Sequence, residues 1–369
     1  MPFGVVRWYK SRYPQSQPEV MEEPPRCELD ENFMSGYRRY LNADNKVEFA
    51  KQSPFLTVVT VQGFGYSGSG AVVDLLREYD TNLVIGSVDY EGSVATRDKH
   101  CEEIDILRLA GGLFEVEKYI GSNNIFQNDA LLHRVVAHIE YSEIYRAIPE
   151  TRPYFYEYMS RISELLTDSP EVQYYNRSLD YKGNNDVFYL KEMTLKEYRT
   201  LCNGLLNSLF AIIKGESKAP IFVLDQSVND FEFDTARYLD YIPNLKIIMV
   251  CRDPRDVFAF ARESEVGWIP NTSVESFVQW NKIITRHFDI HERHAYLVVR
   301  FEDLIESYNE EVTAIENYIG IESASHTMKG TCLDVSVSQK NIGIWKNDVR
   351  MHDAYKRIFD QLVLYCYNG

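Results

Sequence analysis

The sequence predicts an α/β fold: a mostly parallel central sheet flanked by helices in three layers, with a helical insertion. Three observations point there. Thr57–Val61 is rich in β-branched residues and passes through a glycine-rich turn into a helical pattern from Ala71. The run LKIIMVCRD, residues 245–253, is almost continuously apolar at its start, as a strand buried on both faces should be. Strand and helix patterns alternate again from Pro220, which builds a parallel sheet with right-handed crossovers.

The elements follow in order. Residues 1–50 read as an exposed, irregular arm, because Pro14, Pro18, Pro24 and Pro25 sit among acidic neighbours; a short helix is expected over 34–51. The main α/β domain is expected over 51–369. Its first strand–turn–helix unit spans 55–80, and a second strand covers Asn82–Val88. Between 97 and 215 the chain becomes polar, Tyr-rich and helical in pattern, notably over 129–147 and 157–167, which marks an insertion on the sheet. Residues 180–186 (DYKGNND) read as a surface loop. Strands then follow at 221–225, 245–253 and 295–304, with helices at 234–241, from Pro254, at 309–318 and over 351–366.

The whole chain bounds its function. With 369 residues, 45% of them hydrophobic and 25% charged, it can bury a large core. Its formal net charge of −16 is the opposite of what a general nucleic-acid binder carries, so none is expected as partner. An anionic ligand must be held by a local group of donors. The 6 cysteines are scattered without a CxxC pair, which argues against a zinc ribbon and suits a reducing compartment. The sequence has no apolar run of about 18 residues and no apolar core near its start, so no integral membrane span and a cytoplasmic location are expected.

The glycine-rich turn carries the strongest chemical signal. Gly63, Gly65, Gly68 and Gly70 alternate with small or aromatic residues, and Ser67 and Ser69 lie between them. Strand, small-residue loop and helix make an anion cradle, because glycines permit close approach and the first amides of a helix lack intrahelical acceptors. The turn is not a Walker A loop, since no lysine follows its last glycines. It does satisfy the bare GxGxxG pattern, and Asp89 lies near the acidic position expected about 20 residues on. A dinucleotide site and a plain tight turn therefore both stay open.

Two further segments share the expected sheet edge. CRDPRDVFAFAR, residues 251–262, ends the apolar strand; NIGIWKN, residues 341–347, follows VVRFEDL. The three segments in this order resemble the sulfotransferases that use 3′-phosphoadenosine-5′-phosphosulfate (PAPS), of which this chain looks like a divergent bacterial-type member. The resemblance implies a P-loop-like sulfotransferase fold, PAPS as donor, 3′-phosphoadenosine 5′-phosphate as product, and no metal. It implies that the loop Tyr66, Ser67, Gly68, Ser69, Gly70 and Ala71 cradles the 5′-phosphosulfate and that Arg252 holds the 3′-phosphate. Lys340, Asn341, Gly343 and Trp345 would close over the nucleotide, with Trp345 as a packing anchor. Arg255 can instead form an ion pair with Asp253 or Asp256.

The departures from the family pattern are specific. The basic residue usual before Ser-Gly is Tyr66, the lysine usual after another strand is Gln226, and the serine usual eight residues after the strand-end arginine is Phe260. Tyr66 and Gln226 could bond the same oxygens without charge, or Arg97, Lys191 or Arg262 could fill the gap, or the chain could bind without turnover. For the general base the resemblance implies a carboxylate after the second strand: Asp89 first, Glu91 second, with Asp225 third. Asp89 can equally cap a turn. His100, His133 and His138 read as surface or core histidines. The tyrosines 154, 156, 158, 174, 175 and 181 suit either a sugar-binding pocket or helix packing. The expected activity is sulfuryl transfer to an acceptor hydroxyl, with a carbohydrate or glycolipid as first candidate. A homologue without turnover, a P-loop kinase and a dinucleotide oxidoreductase are the rivals.

Overall fold

The structure is a computed structural model that describes residues 26–85, 148–165, 194–228, 235–264, 267–292 and 295–367, with short stretches at 112–118, 125–127, 135–136, 139–140, 142, 144–145 and 187–189. Its centre is a parallel sheet of five strands, β1 (Thr57–Gly63), β2 (Asn82–Ile85), β5 (Ile221–Asp225), β6 (Leu245–Cys251) and β7 (Leu297–Arg300). They lie in the order β2-β5-β1-β6-β7. The register pairs Val59 with Val223 on one side and with Lys246 on the other. A short antiparallel pair, β3 (Ile125–Gln127) and β4 (Val187–Tyr189), stands apart from it.

Alternation along the strands sends side chains to two cores. Val59, Val61, Ile248 and Val250 face one layer, where α2 (Ser69–Arg77) brings Val72, Val73, Leu75 and Leu76. Val58, Phe222, Leu224, Ile247 and Met249 face the other, against Leu205, Leu206, Leu209 and Phe210 of α5 (Leu195–Lys214). Burial on both faces explains why these strands read as apolar runs. A capping box starts α5, with Thr194 and Glu197 each satisfying the other's backbone amide. Among the described residues no helix is long and apolar enough to cross a membrane.

Residues 26–41 are helical, within the segment expected to be an irregular arm. Arg26–Leu41 forms helix α1, longer and earlier than the helix expected at 34–51, and Phe33 and Tyr37 are buried. They pack on Tyr156 of α4 (Arg152–Leu165), with the Phe33 and Tyr156 rings at 5.2 Å. The aromatic spacing Phe33, Tyr37 and Tyr40 is that of one helix face, and it outweighs the upstream prolines. Tyr154 and Tyr156 likewise meet other aromatic rings, and Tyr158 bonds the hydroxyl of Tyr198. Tyr174, Tyr175, Tyr181, His100, His133 and His138 lie outside the described residues, as does about half of the expected insertion.

Two boundaries shift. β7 stops at Arg300, and a helix, α9 (Phe301–Glu306), begins at once; the expected strand to residue 304 is too long. Here the acidic pair Glu302 and Asp303 sits in a first helical turn, which the helix dipole favours. β2 is described to Ile85, and residues 86–88 of that expected strand are outside the described set. The remaining helices are α3 (Leu113–Glu117), α6 (Thr235–Tyr241), α7 (Pro254–Glu263), α8 (Val274–Ile284), α10 (Tyr308–Ile319), α11 (Val335–Gln339) and α12 (His352–Leu362).

Candidate anion site at the sheet edge

β1 and β6 are neighbours whose following helices leave to opposite faces: α2 joins the first core, and α7 packs with α8 and α12. The crevice beyond the C-terminal ends of two such strands is where ligands of open parallel sheets bind. All three sequence segments converge there.

The β1 loop turns sharply because Gly65, Tyr66 and Gly68 have φ of 70°, 52° and 90°. Ser67 is buried, and its hydroxyl accepts the amide of Phe64 at 3.2 Å. A Cβ on Gly63 would lie 2.2 Å from that hydroxyl, and one on Gly68 would lie 2.3 Å from the Phe301 ring. These two positions therefore admit glycine for reasons of space. A Cβ on Gly70 would meet nothing within 4 Å, so the helix opens toward free volume. No side chain caps α2, and Ala71 donates back to the Gly68 carbonyl at 3.0 Å. The amides of Ser69 and Gly70 enter the helix with no carbonyl a turn behind them.

Tyr66, Gln226 and Phe260 form part of one structure. Tyr66 and Gln226 are, among the described residues, the non-glycine residues with left-handed φ, at 52° and 54°. Such backbone is costly for a residue with a side chain and gathers at functional sites. Gln226 clips the loop to β5: its amide donates to the Ser69 hydroxyl at 2.8 Å, and its carbonyl accepts from Gln62 at 3.0 Å and from the Gly63 amide at 3.3 Å. The Tyr66 ring lies 4.6 Å from Phe260 and 5.7 Å from Trp268. Trp268 is 49% exposed, and its six-membered ring fills the space a Gly65 side chain would need. Tyr66, Phe260 and Trp268 thus form an aromatic wall beside the loop. Trp268 gave no signal in the sequence, because its contact with Gly65 and Tyr66 joins distant parts of the chain.

Arg252, at the end of β6, is 8% exposed. Its Nη1 donates to the Tyr66 carbonyl at 3.2 Å and its Nη2 to the Asn341 carbonyl, so one guanidinium joins the first and third segments. Its Nε is buried with no hydrogen-bond partner among the described residues. Burial lowers its pKa, while Asp256, Glu302 and Asp253 favour the charged form. The Phe301 ring lies under it, 5.2 Å from the guanidinium carbon.

Arg255 is an ion-pair residue. It grips Asp253 at 2.6 Å, donates to the Tyr367 carbonyl at 2.8 Å and covers the Trp345 ring at 4.3 Å. Asp253 also caps α7 by accepting the Arg255 amide. Asp256 accepts the amides of Gly343 at 2.8 Å and Trp345 at 3.1 Å, which fastens the C-terminal segment over α7. Gly343 needs its glycine for a φ of 68°. Lys340 is exposed and faces Asp334. Arg262 is turned away, donating to the Asn271 carbonyl at 3.2 Å. Asp225 is buried beside Gln226 at the end of β5. Asp89, Glu91, Arg97 and Lys191 lie outside the described residues.

Backbone amides on one side and an arginine with an orphaned donor on the other make a cleft suited to an oxyanion. The architecture is thus that of a three-layer α/β protein, with the candidate anion site at its strand ends. No family model matches the chain, and no curated protein matches it. Among solved structures, a crystal structure of sulfotransferase STF9 from Mycobacterium avium is similar over 89% of this chain and 79% of that one, at 9% identity and a TM-score of 0.32. That value is too low to carry an argument about this chain.

Proposed function

We propose that the chain binds PAPS and moves its sulfuryl group to an acceptor hydroxyl, with a carbohydrate or glycolipid as first candidate. The observation that carries this reading is the contact between Arg252 Nη1 and the Tyr66 carbonyl at 3.2 Å. The guanidinium and the amides that open α2 therefore share one cleft. The orphaned Arg252 Nε and the open volume at Gly70 fit an anionic guest.

In this reading the amides of Gly68, Ser69 and Gly70, with the hydroxyls of Ser67 and Ser69, hold the 5′ end and stabilise charge on the departing oxygen, while Ala71, whose amide returns to the Gly68 carbonyl, only lines the loop. Arg252 holds the 3′-phosphate, and Lys340, Asn341, Gly343 and Trp345 cover the nucleotide. When bound, PAPS supplies a sulfuryl group on a mixed phosphate–sulfate anhydride; the chain's task is positioning and charge neutralisation. Asp89 is the proposed general base, with Glu91 and then Asp225 behind it.

A second reading, binding without turnover, is favoured by the aromatic packing of Tyr66 and by the engagement of Gln226 with Ser69. Neither residue brings positive charge to the leaving group. Calorimetry with 3′-phosphoadenosine 5′-phosphate, followed by a sulfate-transfer assay over hydroxyl acceptors, separates the two. Binding together with transfer is expected, and Asp89→Asn should slow transfer while leaving nucleotide affinity unchanged. Binding with no transfer to any acceptor would favour the second reading. Thermal stabilisation by magnesium-ATP or NAD, with none from 3′-phosphoadenosine 5′-phosphate, would overturn both.

A further inference from the structure

Glu302 opens α9 at the end of β7 and is fully buried, at 0% exposure. Its Oε1 accepts the amide of Asp253 at 2.8 Å. Its Oε2 is buried with no hydrogen-bond partner among the described residues. The preceding residue, Phe301, packs against both halves of the cleft, Gly68 and Arg252. Two orphaned polar atoms, Arg252 Nε and Glu302 Oε2, thus flank the same strand ends.

The charges around Glu302 come from several elements. The end of β6 and the start of α7 give Arg252, Asp253, Arg255 and Asp256; β7 gives Arg300, and α9 itself gives Asp303. Arg255 is engaged by Asp253 at 2.6 Å, and Arg300 donates to the Tyr365 carbonyl at 2.8 Å. The thiols of Cys251 and Cys366 also face this group, both pushed up to about 12 by burial, so they are neutral. Carboxylates therefore outnumber guanidinium groups before any ligand arrives. An anion at Arg252 adds negative charge where the dielectric is low, and a proton is the least costly compensation.

Two carboxylates could take that proton. Burial raises the pKa of Asp256 too, but Arg252 and the two backbone amides that engage both of its oxygens favour its charged form. Glu302 has one oxygen so engaged and one without a partner. We propose that Glu302 takes up a proton when a phosphate- or sulfate-type anion binds beside Arg252, so that the affinity of this cleft for anions is governed by pH. Burial already pushes the Glu302 carboxyl up to about 7, so the free group is divided between its two forms near neutrality. The inference rests on the anion cleft of the proposed function, but it needs neither transfer nor a particular acceptor.

The test is calorimetry on the full chain with two probes, 3′-phosphoadenosine 5′-phosphate and inorganic sulfate. Titration at pH 7.5 in buffers of different ionisation enthalpy reads the protons taken up per ligand. The wild type should take up more protons than Glu302→Gln, which keeps an acceptor for the Asp253 amide. Affinity of the wild type should fall by up to about tenfold per pH unit between pH 7 and 8.5, and that of the variant for sulfate should stay flat. Equal uptake and parallel pH profiles in the two proteins would overturn the inference and leave the anion site standing. Failure of both probes to bind would remove the site and the inference together. Sulfate keeps its charge over this range, so a sulfate affinity of the wild type that does not change with pH overturns the inference even if the variant fails to fold.

Discussion

Two carboxylates, Glu78 and Glu302, are both fully buried and behave in opposite ways. Glu78 ends α2, on the side of the sheet where the strands begin. His326 meets one of its oxygens at 2.8 Å, and the amides of Leu333 and Cys332 donate to the other at 2.8 and 3.0 Å. Burial alone would push its pKa up, but the hydrogen bonds from His326 and these amides outweigh it and hold the carboxyl below the ordinary range. Glu302 lies where the strands end, with one oxygen left without a hydrogen-bond partner among the described residues, and burial pushes it up to about 7. The contrast separates a buried charge that fastens a loop from one at the strand ends. The first is saturated by donors, and the second is left half-satisfied.

The largest expected effect at the strand ends comes from Arg252→Ala. It should weaken binding of 3′-phosphoadenosine 5′-phosphate by roughly 2–4 kcal/mol, as for loss of a buried charged contact. An unchanged dissociation constant by calorimetry would show that the anion does not meet this guanidinium. At the other end, Glu78→Gln should cost about 1–3 kcal/mol of stability near pH 7, because buried donors lose a charged acceptor. The pKa of Glu78 is depressed in the folded chain, so its contribution is present above the unfolded value of 4.5 and is lost as pH falls through the folded value. Denaturation curves of wild type and variant should therefore converge in acid, and a constant gap would refute the assignment.

Gly68→Ala should cost about 1–2 kcal/mol, since φ of 90° disfavours a side chain and the new methyl would strike Phe301. A melting temperature equal to wild type would mean that the loop relaxes freely. Glu302→Gln in the ligand-free chain should act with a sign opposite to that of Glu78→Gln. The pKa of Glu302 is raised on folding, so its contribution is present below 4.5 and is lost as pH rises to about 7. The variant should gain on the wild type between pH 5 and 8. A gap that moves the other way in thermal melts would break the comparison.

Much of the cleft was legible from local pattern. The turn at Gly63–Gly70 announced itself by its glycines, and Arg252 by its place at the end of an apolar run, because both signals are carried by neighbours in the chain. The pairing of Arg255 with Asp253 was legible for the same reason. Phe301, Glu302 and Trp268 were not, since each acts on a segment dozens of residues away. The helix over Arg26–Leu41 was obscured by nearby prolines, although Phe33 and Tyr37 lie on one helical face.

The amino-acid order alone determined the alternation of strands and helices, the glycine turn and the position of an arginine at a strand end. Those depend on backbone preference and on burial over a few residues. Tertiary structure decided that Tyr66, Phe260 and Trp268 form one wall, that Arg252 joins two loops and that Glu302 is left with an orphaned oxygen. Packing brings these groups together across long stretches of chain, and only there do burial and neighbouring charge set what a carboxylate or a guanidinium can do.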